Sequence, residues 1–136
     1  MEVKVTDNSE IFKNAMKDGI AAALDAMGKT AERYAKEQCP TDTGRLKNSI
    51  TYATEQYSGQ GSYSDDNGKG YSDATAKVTP EKNAVYVGSN VEYALVQETG
   101  NFRHNSGAAH FMRDSVANHG DEYKRIAVTN IKNHMP

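Results

Sequence analysis

Apolar residues recur at helical spacing from about residue 8 to residue 38, and most charged residues fall off this stripe. Asp7 and Glu10 have the spacing of a capping box. Pro40 cannot continue a helix and biases Cys39 away from helical geometry. The pattern therefore predicts one long amphipathic helix. Its apolar stripe consists of Phe12, Met16, Ile20, Ala23, Leu24, Met27, Ala31, Tyr34 and Ala35.

Two glycines, Gly19 and Gly28, lie within this helical segment, and the stripe itself is rich in alanine. Small residues allow another backbone to approach a helix closely, whereas a glycine inside a helix otherwise costs stability. We therefore predict that the helix packs tightly on a β-sheet.

Strand patterns occupy the middle of the chain. Residues 74–79 alternate in polarity, residues 84–88 are rich in β-branched and aromatic side chains, and a turn signal at residues 80–83 separates them. These features predict an antiparallel hairpin. A further strand is expected to begin near Ser49, and its alternating residues are Ile50, Tyr52 and Thr54.

The C-terminal part of the chain is again helical in pattern. Residues 91–98 suit a short helical turn, and residues 109–134 suit a second long helix that is interrupted at residues 118–120. Helices that flank consecutive strands predict an α+β fold, in which an antiparallel β-sheet packs against a long N-terminal helix and a C-terminal helix. The length of 136 residues suits a single domain spanning 1–136.

Residues 56–73 differ from the rest of the chain because they contain Gly, Ser, Asp and Tyr but no aliphatic side chain. They predict a flexible loop or an extended hairpin, since they cannot supply a core. Tyrosine offers a large contact area at low entropic cost, and Gly and Ser adapt to a partner. An exposed loop without a role and a partner-contact loop both remain open. The candidate contact residues are Tyr57, Tyr63, Asp65 and Tyr71.

Composition limits the classes of function. The net charge of −2 argues against a dedicated nucleic-acid binder. No apolar run approaches the roughly 20 residues needed to span a bilayer, and the N-terminus does not resemble a secretory signal. A single cysteine excludes an intrachain disulfide and indicates synthesis in a reducing cytosol. A basic run on the first helix favours a solvated face, with weak DNA contact left open: Lys29, Arg33 and Lys36.

Candidate chemistry is sparse. Cys39 is the one thiol, and nothing in the sequence places a base beside it, so a small buried residue is the favoured interpretation. The turn at residues 65–68 resembles part of a calcium loop, but Ala76 occupies the twelfth position, where a bidentate Glu is needed. We therefore predict no catalytic residue, metal or cofactor. The histidines, none at metal-ligand spacing, are His104, His110, His119 and His134.

Three segments carry family-like motifs in order along the chain. The pattern Pro-x-Asp-Thr-Gly-x-Leu-x-x-Ser-Ile occupies residues 40–50. Val-Gly-Ser, Tyr-Ala and Glu-x-Gly occur within residues 85–101, and Phe-hydrophobic-Arg occurs within residues 109–116. Together these segments resemble the minor neck proteins of tailed bacteriophages, known as head–tail joining or tail-completion proteins. The chain departs from that pattern at Thr99, Asn101, Ala108 and Ala109, and residues 56–73 have no clear counterpart in it.

The resemblance implies a structural virion protein without catalysis or cofactor. Such a protein is made in the host cytoplasm and assembles at the head–tail junction as a ring, hexameric or larger. Its implied partners are other copies of itself and neighbouring neck, connector or tail proteins, with DNA in the channel as a non-specific contact and no membrane. The structural turn motif comprises Pro40, Thr43, Gly44, Leu46, Ile50, Gly88, Tyr93 and Gly100.

Three alternatives remain open at this point. A tail terminator, which caps the tail tube, has a related fold. A small hydrolase or nuclease would use Cys39 or a histidine, and a host DNA-binding regulator would show salt-dependent affinity.

Overall fold

The predicted N-terminal helix is present as α1 (Ser9–Gln38) in a computed structural model of the chain, which describes residues 2–3, 9–99 and 110–136. The helix ends two residues before Pro40, as expected for a residue that lacks a backbone N–H. The predicted capping residue Asp7 lies outside the described residues. The elements that follow are α2 (Arg45–Ser49), β1 (Thr51–Ala53), β2 (Gly61–Ser64), β3 (Gly70–Ala74), β4 (Tyr86–Gly88), α3 (Ala94–Thr99), α4 (Phe111–Ala117) and α5 (Gly120–His134).

The α+β class is confirmed, but the described strands form two antiparallel pairs instead of one sheet. Strand β2 pairs with β3 to form a hairpin that lies largely within residues 56–73. Strand β1 pairs with β4, with Ala53 opposite Tyr86 and Thr51 opposite Gly88. The β1–β4 pair therefore joins segments that are far apart in sequence.

The predicted hairpin between residues 74–79 and 84–88 is wrong. Residues 75–79 form no strand, because their neighbouring backbone groups find other partners. Ala76 donates its N–H to the carbonyl of Ser58 at 2.7 Å, and Asn90 donates through Nδ2 to the carbonyl of Thr75 at 2.6 Å. Because residues 75 and 76 are bonded elsewhere, β4 pairs with β1 instead.

Both glycines of α1 lie at close contacts, but only one of these contacts involves a sheet. A Cβ on Gly28 would collide with the ring of Tyr52 in β1, as the prediction of close helix–sheet packing requires. A Cβ on Gly19 would lie 2.9 Å from the Cα of Ile131, so Gly19 faces α5 instead. The helix therefore packs on α5 as well as on the sheet, a contact that the sequence did not predict.

The core lies where the C-terminal half of α1 meets α2 and α4. Phe111 and Ile50 are fully buried there. The predicted second long helix is divided into α4 and α5 at Asn118 and His119, which confirms the predicted interruption. The six buried residues of the central cluster are Ala35, Cys39, Leu46, Ile50, Val91 and Phe111.

The first turns of α1 extend beyond the end of α5. Helix α5 runs antiparallel to α1, and its last residue, His134, lies against Gly19. Ile11, Phe12 and Met16 therefore remain 56%, 50% and 40% exposed. Phe12 and Met16 belong to the predicted apolar stripe, which is therefore left uncovered at this end of the helix.

Candidate functional site: a hairpin fixed to the turn motif

The turn after α1 is built around Gly44. This residue has φ +83°, the left-handed conformation that glycine adopts without a steric penalty. A Cβ at Gly44 would also collide with the carboxylate of Asp66, which belongs to the β2–β3 hairpin. The Asp66 N–H donates to the carbonyl of Thr43 at 2.7 Å. The turn motif and the hairpin are thus in direct backbone contact.

Three of the remaining residues of the turn motif pack inward. Leu46 and Ile50, on and just after α2, enter the core, and Tyr93 packs against it while half-buried. Gly88 lies in β4 with open space around its Cα, so its backbone does not require glycine. Gly100 lies outside the described residues.

Arg45 connects the turn motif to the hairpin electrostatically. Its Nη2 lies 3.1 Å from Asp73 Oδ2, and its Nη1 lies 3.3 Å from Glu92 Oε1. The guanidinium also stacks over the ring of Tyr71, 4.5 Å from the ring centre. Arginine suits this position because its planar group binds carboxylates and an aromatic face at once.

Tyr63 completes this cluster from the hairpin side. Contact with the Tyr63 hydroxyl and then with Arg45 holds the pKa of Asp73 below its usual value. Burial, followed by contact with Asp73, raises the pKa of Tyr63 to about 12. Tyr63 OH, Asp73 Oδ1 and Arg45 Nε are buried without a hydrogen bond of good geometry, so the cluster is tightly packed and incompletely satisfied.

Three side-chain amides hold the two sides of the hairpin. Asn48 Nδ2 donates to the carbonyl of Ser64 at 2.9 Å. Gln60 Nε2 donates to the carbonyl of Asn48 at 2.6 Å. Asn90 Nδ2 donates to the carbonyl of Asp73 at 2.8 Å. Two of these bonds occupy carbonyls near the ends of β2 and β3, and the Gln60 bond joins the start of the hairpin to α2, so the hairpin is fixed in position.

The predicted partner-contact tyrosines pack largely within the chain. Tyr63 and Tyr71 stack across the two hairpin strands with ring centres 5.3 Å apart, and Tyr57 stacks on Tyr52 at 4.5 Å. Asp65 Oδ1 accepts the N–H groups of residues 67 and 69, each at 2.9 Å, and so closes the tip. Residues 66–70, at the tip, form a continuous exposed run of the hairpin.

Glu98 has a role that the sequence argument missed. Its carboxylate accepts the N–H groups of Met112 at 2.9 Å and of Arg113 at 3.0 Å. These N–H groups belong to the first turn of α4, where no partner exists within the helix and negative charge is favourable. The Glu-x-Gly pattern contained the signal, but the sequence did not show which helix the glutamate would cap.

The candidate reactive groups are poorly suited to catalysis. Cys39 is 2% exposed, and burial raises the pKa of its thiol to about 12, far from a reactive thiolate. His119 stacks on Tyr34 at 3.6 Å, and His134 lies 2.8 Å from the carbonyl of Asn130. His110 precedes α4, and His104 is outside the described residues. Within the part of the chain that the structure describes, no three His, Cys, Asp or Glu residues form a metal-binding group.

The basic side chains of α1 are paired with acidic side chains of the same helix. Lys29 pairs with Asp25 at 3.0 Å, and Lys36 pairs with Glu32 at 3.8 Å. Arg33 likewise lies 3.6 Å from Glu37. These (i, i+4) pairs support the solvated-face interpretation over a DNA contact. Across residues 9–99 and 110–136, no helix is both long and apolar enough to span a bilayer.

The chain is thus a small α+β protein in which polar contacts hold the β2–β3 hairpin against the rest of the fold. Residues 4–132 match the model of a family described as "Bacteriophage HK97-gp10, putative tail-component". The chain belongs to this family, which confirms the resemblance to phage neck and tail-completion proteins. No curated protein and no solved structure matches the chain.

Proposed function

We propose that the protein is a non-catalytic structural component of the phage virion and forms a ring, hexameric or larger, at the head–tail junction. The match of residues 4–132 to a phage tail-component family carries this proposal. The motif at residues 40–50 supports the specific role in joining, because it resembles that of head–tail joining proteins.

The geometry of the site supports a scaffold role. Gly44 and Arg45 belong to the turn motif, and their contacts hold the hairpin in place instead of forming a reaction centre. A fixed hairpin presents its exposed tip, residues 66–70, in a defined position. Presenting a surface in one orientation lowers the entropic cost of binding a neighbouring neck, connector or tail protein.

The test is electron microscopy of phage particles produced without this gene. We expect separate DNA-filled heads and complete tails that do not join. Tails of abnormal length would instead identify a tail terminator. Normal infectious particles would contradict the structural role altogether.

A matched complementation experiment tests the absence of catalysis. Phage lacking the gene are supplied with the wild-type protein or with the Cys39→Ala variant. Because the thiol is buried and protonated, we expect both to restore joined particles. Failure of a folded Cys39→Ala variant to restore joining would favour a reaction at the thiol.

A further inference from the structure

The hairpin tip contains the one asparagine of the chain that is followed by glycine. Asn67 and Gly68 form this pair, and both are exposed. The side-chain amide of an asparagine lies within reach of the backbone nitrogen of the next residue, and attack by that nitrogen on the amide carbon closes a five-membered ring. Glycine hinders this attack least, because it has no Cβ and its backbone rotates with few steric limits.

The surroundings of Gly68 leave room for such a ring. Its φ is +87°, and a Cβ built on it would meet no atom within 4 Å. Its N–H donates to the carbonyl of Asp65 at 3.1 Å, so this bond has to open before the nitrogen can turn towards the Asn67 side chain. The bond lies at an exposed tip, where local opening requires far less free energy than it does in a core.

The side-chain amide of Asn67 is available for the reaction. The backbone N–H of Asn67 donates to Asp65 Oδ1 at 2.9 Å, but its side-chain amide makes no hydrogen bond to any residue that the structure describes. Asn67 therefore combines an exposed position, an unbonded amide and a following glycine.

Two other asparagines beside the hairpin are held by their side chains. Asn48 Nδ2 donates two hydrogen bonds to the hairpin, at 2.9 and 3.2 Å. Asn90 Nδ2 donates two to carbonyls at the end of the hairpin, at 2.8 and 2.6 Å. The residues that follow them are Ser49 and Val91, each of which carries a side chain next to the backbone nitrogen. The fold thus protects these two amides and leaves that of Asn67 accessible.

We propose that Asn67 is a site of spontaneous deamidation. The Gly68 nitrogen loses its proton to solvent and bonds to Asn67 Cγ, while the side-chain nitrogen leaves as ammonia. Water then opens the resulting succinimide at either of its carbonyls, which gives aspartate or isoaspartate. The net reaction consumes one water and releases one ammonia for each asparagine, so it needs no oxidant or reductant.

The reaction changes the surface that the tip presents. It adds a negative charge next to Asp65 and Asp66, and isoaspartate also lengthens the main chain by one methylene. If the tip contacts a neighbouring virion protein, as the proposed function implies, deamidation before assembly alters that contact. The reaction itself does not depend on the proposed function, because it needs only the folded chain and water.

The test uses the purified full-length protein, aged in mildly alkaline buffer while circular dichroism confirms that it stays folded. Samples are digested in mild acid, and mass spectrometry measures the mass difference between a side-chain amide and an acid, with fragmentation to assign each conversion to one residue. An isoaspartate-specific methyltransferase measures isoaspartate separately. Asn48 and Asn90 are the internal references. The matched variant is Asn67→Gln, whose longer side chain disfavours ring closure.

We expect Asn67 to convert at least about 10-fold faster than Asn48 or Asn90, because each reference amide must first give up two hydrogen bonds. Isoaspartate should accompany aspartate at position 67 and be absent from the tip of the Asn67→Gln variant. Equal rates at the three asparagines, or no conversion of Asn67 in the folded protein, would overturn the proposal. Aspartate without isoaspartate would indicate direct hydrolysis of the amide and would overturn the succinimide route.

Discussion

Arg45 and Asp73 are 28 residues apart in sequence, and a 3.1 Å ion pair between them joins the turn after α1 to the last part of the hairpin. The side chains are 22% and 38% exposed, so the pair is partly shielded from water. Such a pair is screened by solvent less than a fully exposed one. Its stacking on Tyr71 adds contact that a lysine would not reproduce.

Replacing Arg45 with lysine is expected to loosen the hairpin. The charge remains, but the two-carboxylate contact and the aromatic stacking are lost, at a cost of roughly 1–2 kcal/mol. Hydrogen exchange should accelerate at the amides of β2 and β3 and stay unchanged in the helices. Arg113→Lys is the control, because that side chain is 61% exposed and pairs with its sequence neighbour Asp114. Equal protection of the hairpin in both variants would contradict the anchoring role.

Acid should weaken the hairpin through Asp73. The pKa of this carboxyl is lower in the folded state than in the unfolded state, where it is about 3.9. Its contribution to stability is therefore complete above that value and is lost as the pH falls through the folded pKa. The free energy of unfolding of wild type should exceed that of Asp73→Asn near neutral pH, and the two should converge in acid. A difference that persists in acid would exclude the charge of Asp73 as its cause.

Gly28 should not tolerate a side chain. A Cβ there would overlap the ring of Tyr52, and overpacking of this kind costs about 1–3 kcal/mol. Gly120→Ala is the matched control, since Gly120 is also helical and has open space around it. Alanine at Gly120 should leave stability unchanged or raise it by up to about 1 kcal/mol. Thermal unfolding measures both, and an unaffected Gly28→Ala variant would show that the helix can move away from β1.

Cys39 should react slowly in the folded protein. A thiol with a pKa of about 12 that is 2% exposed has little thiolate and little access to reagent. Alkylation by iodoacetamide at pH 8 should be at least about 100-fold slower than in denaturant, as followed by mass spectrometry. Fast labelling under native conditions would mean that the core around α2 opens readily.

Removing side chains from the hairpin tip separates folding from assembly. The variant carries Asn67→Gly and Lys69→Gly and keeps Asp66, whose N–H donates to the carbonyl of Thr43. We expect a folded protein with normal helical content and a reduced yield of joined particles. A Gly-Gly replacement of residues 81–82, which form another exposed turn, serves as the control. Unfolding of the tip variant, or a normal yield of infectious particles, would count against a contact role for the tip.

The sequence predicted the elements whose signal is local. Apolar periodicity and Pro40 defined α1, and residues 118–120 divided the second helix as predicted. Pairing between strands was harder to predict, because the partner of β4 depends on which distant backbone groups remain free. Asn90 decides this by occupying the carbonyls of Asp73 and Thr75, and nothing in its local sequence signals that contact.

The sequence predicted where the candidate site lies better than it predicted how the residues of the site act. The motif at residues 40–50 contains Gly44 and Arg45, but the sequence did not show that both act on the hairpin. The tyrosines were singled out as exposed contacts, whereas Tyr63 and Tyr71 stack across the hairpin strands. Aromatic residues without aliphatic neighbours can still form a small packed cluster when a cation such as Arg45 lies beside them.

The register of β1 and β4 also bears on where the chain can be extended. Ala53 and Tyr86 are directly opposite each other, so residues 54–85 begin and end at one place in the scaffold. Within this segment the hairpin is held to the turn motif through Asp73, whereas Gly68 at its tip has open space around it. The closure entropy of a flexible loop rises only logarithmically with its length. A short flexible peptide label inserted after Gly68 should therefore leave α1, α5 and the β1–β4 pair in place.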